Sequence, residues 1–143
     1  MTPHFTLDEV IHSDTAIRKR INNSLPPELM KNVLRAAQGM EEIRALLENK
    51  PISVNSWYRC EILNKAICGA SKSDHMTGFA IDFTCKDFGS PLDIVKFLSK
   101  SNLQFDQMIQ EGTWVHVSFA PAMRKEVLTA HFNGSGVSYT KGV

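Results

Sequence analysis

The sequence predicts an α+β domain in which helices pack on a mainly antiparallel sheet. Between residues 27 and 48, Leu29, Val33, Ala36, Met40, Ile43 and Leu47 recur at helical spacing. Short runs at 52–56, 79–83, 105–110 and 114–119 have the length and composition of strands. With 143 residues and 43% apolar content, the chain can bury one core and is too short to expect two.

The first helix is expected from Phe5 to about His12, with Thr6 as N-cap, Glu9 three residues on and Phe5 as a staple. A polar stretch with Asn22, Asn23 and Ser24 follows. Pro26 and Pro27 then open the long helix, which Lys50 and Pro51 should stop. Ile52, Val54 and Ser56 alternate with Ser53 and Asn55 as a strand. Residues 60–67 read as a helix ending at Gly69. In 79–83, Phe79, Ile81 and Phe83 alternate with Ala80 and Asp82, so Asp82 points away from the aromatic face. Ser90-Pro91 starts a helix through Leu92, Val95, Phe97 and Leu98, and the runs at 105–110 and 114–119 should form a hairpin through Gly112. Beyond Pro121 the pattern fades, and Gly and Ser in HFNGSGVSYTKGV suggest a loosely ordered tail over 121–143 behind a domain of residues 1–120.

Sixteen Lys and Arg against fifteen Asp and Glu leave a net charge of +1, so no basic field is present to hold nucleic acid or an anionic membrane. No apolar run approaches a membrane span, and MTPHFTLDEV lacks the layout of an export signal. Synthesis in the cytoplasm is therefore expected, without membrane insertion. Cys60, Cys68 and Cys85 are an odd number in a domain that needs no staples, and all three are expected to be thiols, mostly buried.

The chemistry-bearing segments are Ser-Lys-Ser-Asp-His-Met-Thr-Gly-Phe-Ala-Ile-Asp-Phe at 71–83 and Trp-Val-His-Val-Ser at 114–118. Catalytic zinc takes three protein ligands and leaves a position for water, and these segments offer His75, Asp82 and His116. Gly78 lets the chain turn between His75 and the strand bearing Asp82, while His116 alternates with Val115 and Val117. Taken singly, each has a blander reading: a loop histidine, a strand-end cap and a sheet histidine. Cys85 lies three residues past Asp82 but has no partner cysteine at zinc-finger spacing.

His75-x6-Asp82 with Gly78 and Ala80 between, followed by Trp114-Val115-His116-Val117-Ser118, resembles the D-alanyl-D-alanine metallopeptidase family. That family includes phage-type peptidoglycan peptidases with the hedgehog/DD-peptidase fold. The resemblance runs from Phe5 to about Phe119 and takes in Phe5-Thr6-x-x-Glu9 and Ser56-Trp57-Tyr58-Arg59-Cys60-x-x-Leu63-Asn64. It implies that Arg59 engages substrate near the scissile bond, where its planar donors pair with a carboxylate or an oxyanion. Trp57 stands where the family commonly has glycine, so a loop before Arg59 that is bulkier or follows a different path is expected. Ser73 resembles the family serine two positions before the first ligand, and either bonds substrate or is a turn serine.

A zinc hydrolase needs a general base, and Glu111 is the best-placed carboxylate, with Asp106 and Asp74 as alternatives and a hairpin cap as its plain reading. Three residues before His116 stands Thr113, which is no base. Gln107 is a candidate to orient a metal ligand. Trp114 and Tyr58 either line the cleft or belong to the core. The expected activity is zinc-dependent hydrolysis of peptidoglycan stem peptides or cross-links by a monomer, as a D-Ala-D-Ala carboxypeptidase or an endolysin-like endopeptidase delivered by lysis or a virion. The competing expectation is a zinc-containing wall-binding or virion module without turnover. A secreted signalling domain of the same fold group ranks last.

Overall fold

The computed structural model describes residues 1–143. Thr6 and Glu9 close the expected capping box on α1 (Leu7–Ile11), and Phe5 is buried edge-on against Trp57. Ser13 caps a further short helix, α2 (Asp14–Lys19), whose single buried residue, Ala16, leaves no apolar periodicity to read. A 3₁₀ turn at Pro27–Leu29 leads into α3 (Met30–Leu46). That helix stops before Pro51, because Glu48 and Asn49 turn into the left-handed region at φ 62° and 58°.

The remaining elements are β1 (Ser53–Ser56), α4 (Glu61–Ala66), β2 (Ala80–Thr84), α5 (Pro91–Ser99), β3 (Gln107–Gln110), β4 (Val115–Ser118), β5 (Glu126–Asn133) and β6 (Gly136–Lys141). Ser90 and Asp93 form a capping box on α5 behind Pro91. The strands make one six-stranded sheet in the order β1-β2-β4-β3-β5-β6, antiparallel except where β5 runs parallel to β3.

The segment expected to be a loose tail is instead two strands. Its Gly and Ser residues mark the turn between Asn133 and Gly136, and the residues flanking that turn pair in register from Leu128–Lys141 to Asn133–Gly136. Only the long-range pairing of β5 with β3 gives the hairpin a place in the sheet, and no local pattern announces such a contact.

One sheet face carries Ile81, Phe83, Met108, Val115 and Val117 into a core shared with Val33, Ala37, Met40 and Ile43 of α3. Helix and sheet approach so closely at Gly39 that a methyl there would collide with the Phe119 ring. The opposite face carries Asp82 and His116. No helix is long and apolar enough to cross a membrane. All three cysteines are free, but only Cys85 is buried; Cys60 is half-buried, and Cys68 is exposed on the turn after α4, so the expectation of burial fails for two of them.

Candidate metal centre

Alternation along β2 and β4 directs Asp82 and His116 to the same face, where they are paired residues. His75 comes from a 3₁₀ turn, Asp74–Thr77, which ends at Gly78 in the left-handed region at φ 84°. The three side chains converge with their ligand atoms within 4.8 Å of one another. His75 Nε2 lies 3.2 Å and His116 Nδ1 2.9 Å from Asp82 Oδ1. Donors bound about 2.0–2.2 Å from a tetrahedral zinc stand roughly 3–3.6 Å apart. The residues present therefore fit the ion.

Their supports fix how they point. His75 Nδ1 meets the Trp57 carbonyl at 2.6 Å, so Nδ1–H donates there and Nε2 is left with a free lone pair. Ser73 Oγ accepts the His75 backbone N–H, and Ser118 Oγ donates to Asp74 at 2.6 Å, tying the turn to β4. Burial holds the His75 imidazole below its ordinary range. Burial alone would raise Asp82, but the two histidines outweigh it and keep its carboxyl well below the usual carboxylate range. For His116 burial pulls down, while the hydrogen bond and charge of Asp82 and the charge of Glu111 leave it raised. Asp82 is thus ionised and His75 neutral, as a metal needs, whereas His116 leans toward its protonated form and must give up the Nδ1 proton to ligate.

These groups form the floor of a cleft of about 840 Å³, large enough for a peptide of several residues. Arg59, Glu111, Ser73 and Trp114 line it as well. Burial and the charge of Asp82 push the Glu111 carboxyl up, against the opposing pull of His116 and Arg59. Glu111 has no side-chain hydrogen bond and no ion pair. Asp106 is different: Arg124 clamps it at 2.9 and 3.0 Å and holds its carboxyl down. Burial lowers Arg59, which makes no ion pair and whose buried Nε lacks a hydrogen-bond partner.

The sequence profile of peptidase M15 matches residues 3–118. The chain belongs to the peptidase M15 family. This is the D-Ala-D-Ala zinc peptidase family that the motifs resemble, and M15 peptidases are zinc-dependent. No curated protein matches the chain significantly.

In this M15 chain several expected positions fall elsewhere. Tyr58 does not line the metal cleft; its ring is buried in the core cluster, as the spacing of a core aromatic allows. Gln107 faces the cleft but donates to Glu126 at 2.7 Å and touches no ligand. Trp57 does not crowd the cleft, because its side chain is wholly buried and donates Nε1–H to the Gly78 carbonyl at 3.0 Å. Its indole and its own carbonyl hold opposite ends of the His75 turn. Asn23, in the polar stretch before Pro26, has a positioning role that no motif marks. Its Nδ2 donates to the carbonyls of Ile11 and Tyr58 and its Oδ1 accepts the Cys60 N–H, so it grips both neighbours of Arg59. A single buried Asn between α2 and Pro26 gives no local signal of that role. Leu128, Phe132 and Tyr139 of the C-terminal hairpin also line the cleft. Burial and the charge of Glu111 hold the Tyr139 phenol above its ordinary range.

Proposed function

We propose that the chain is a zinc-dependent peptidase that hydrolyses peptide bonds in bacterial peptidoglycan, in stem peptides or their cross-links, on a hedgehog/DD-peptidase-like fold. The observation that carries the reading is an unpaired carboxylate, Glu111, and an unpaired guanidinium, Arg59, in one cleft with the His75, Asp82 and His116 donor set. Asp106 is held by Arg124 and Asp74 accepts from Ser118, so both alternative bases are already engaged.

His75 Nε2, Asp82 and His116 would hold zinc, which when bound supplies a Lewis acid for the scissile carbonyl and makes water a better nucleophile at neutral pH. Glu111 takes the proton from the attacking water and passes it to the leaving amine. A carboxyl raised by burial suits both transfers, since it lies closer to working pH than an exposed one. Arg59 donates N–H groups to the oxygen that gains charge as the carbonyl is attacked. Trp57 keeps His75 aimed throughout, and no covalent intermediate on the protein is required.

Digestion of purified peptidoglycan by the zinc-loaded protein, with fragments identified by mass spectrometry, tests the reading and names the bond cut. Glu111→Gln should retain zinc and fold while turnover falls roughly 10²- to 10⁴-fold. Turnover within a few-fold of wild type would move the base elsewhere. A wild type that binds zinc and wall peptide yet releases no fragment would make the chain a binding module.

A further inference from the structure

Sheet register carries the metal face well beyond the metal. Asp82 pairs with His116, His116 with Ile109, Ile109 with Leu128 and Leu128 with Lys141. Directly paired residues project to the same side, so the ligand face continues across β3 onto β5 and β6. Along the hairpin that side bears Leu128, Ala130 and Phe132, opposite Tyr139 and Val137. The other side bears Thr129, His131 and Ser138. Toward its turn the hairpin is therefore apolar on the cleft side and polar behind, with Glu126 and Lys141 adding charge to the cleft side at its base.

Two of these apolar residues are large and unshielded: Phe132 is 58% and Tyr139 48% exposed. Phe132 also stands 6.4 Å from the Trp114 ring at the cleft rim, so the aromatic surface is continuous with the wall beside Glu111. None of this hairpin lies within residues 3–118, the part matched to the peptidase family.

We infer that the C-terminal hairpin is the substrate-length determinant of the cleft, with Phe132 and Tyr139 packing on the part of the peptide that extends beyond the residues at the scissile bond. This rests on the peptidase reading of the same cleft. From β4 to β6 is three strand spacings, about 14 Å, which an extended peptide crosses in about four residues. A dipeptide held at the ligands meets only the near end of this wall, beside Glu111, whereas a stem peptide runs along it. The aliphatic parts of a stem peptide are the chemistry that gains from two half-exposed rings.

The test uses zinc-loaded full-length protein in a Glu111→Gln background, so that binding is measured without turnover. Calorimetry compares D-Ala-D-Ala with the stem pentapeptide L-Ala-D-Glu-L-Lys-D-Ala-D-Ala. The pentapeptide should bind at least about tenfold more tightly. Replacing Phe132 and Tyr139 together by Ser should erase most of that preference, a loss of roughly 10- to 100-fold for two aromatic anchors. Ser138→Ala, on the polar side, should preserve it. Tyr139→Ala alone should reduce the preference in the same direction and serves if the double variant does not fold. Equal affinity for the two peptides, or a preference that survives both variants, overturns the inference. So does a preference that appears only when the peptide carries its sugar, which would assign the wall to glycan. Cleavage by the wild type is scored separately, so that binding preference without cleavage leaves the hairpin assignment standing and removes the enzymatic one.

Discussion

Within one cleft Asp106 is a clamped carboxylate and Glu111 an unpaired one. The Asp106 oxygens accept from Arg124 Nε, Nη2 and the Arg124 backbone N–H, which fastens the chain leading into β5. The folded carboxyl is held below its ordinary value, so its stabilising contribution is fully present above about pH 4 and is lost as pH falls through the folded value. Arg124 is half exposed, so much of the effect comes from the buried Asp106 end. Asp106→Asn should lower unfolding free energy by about 1–3 kcal/mol at pH 7, and the gap from wild type should narrow as pH is lowered from 7 to 3. Urea titrations at the two pH values measure this, and a gap of the same size at both would show that charge plays no part. Ligand types and spacing made His75, Asp82 and His116 legible in the sequence. Position in the sequence favours Glu111 over Asp106, but the clamp that engages Asp106 comes from a partner eighteen residues away and has no local signal.

Among the elements, the segment between β1 and α4 determines where Arg59 stands. Asn23 reaches from the loop after α2 to bind the Tyr58 carbonyl at 3.0 Å and the Cys60 N–H at 2.8 Å, and Arg59 N–H donates to the His75 carbonyl. Asn23→Ala leaves these groups without partners and should destabilise the fold by about 1–3 kcal/mol. It should also lower kcat on peptide substrates more than it changes KM, with zinc content intact. A variant that loses stability but keeps wild-type kcat would confine Asn23 to structure. Helices with a full capping box, α1 and α5, or a long apolar stripe, α3, could be read from local chemistry, and so could β2 and β4. The short helix α2 and the pair β5 and β6 could not, since a six-residue helix with one buried side chain carries no period and a parallel partner lies far away in sequence.

Across the whole molecule, the three metal donors belong to segments that meet only in the folded state: a turn, a central strand and its neighbour. An unfolded chain scatters them, so zinc held by this group would bind the native form far better than the denatured one, and free zinc would become a variable in the folding equilibrium. At a free concentration 100 times the dissociation constant, the native state gains about 2.7 kcal/mol. For a chain of this size that corresponds to a rise in Tm of roughly 5–11 °C. Scanning calorimetry with buffered zinc should find Tm climbing with the logarithm of free zinc, and EDTA should return it to the metal-free value. His116→Ala should flatten the slope, and a slope unchanged in that variant would place the bound ion elsewhere. Chelation then acts as a conditional denaturant: the population of open, protease-sensitive chains is set by the zinc available around the protein as much as by its sequence.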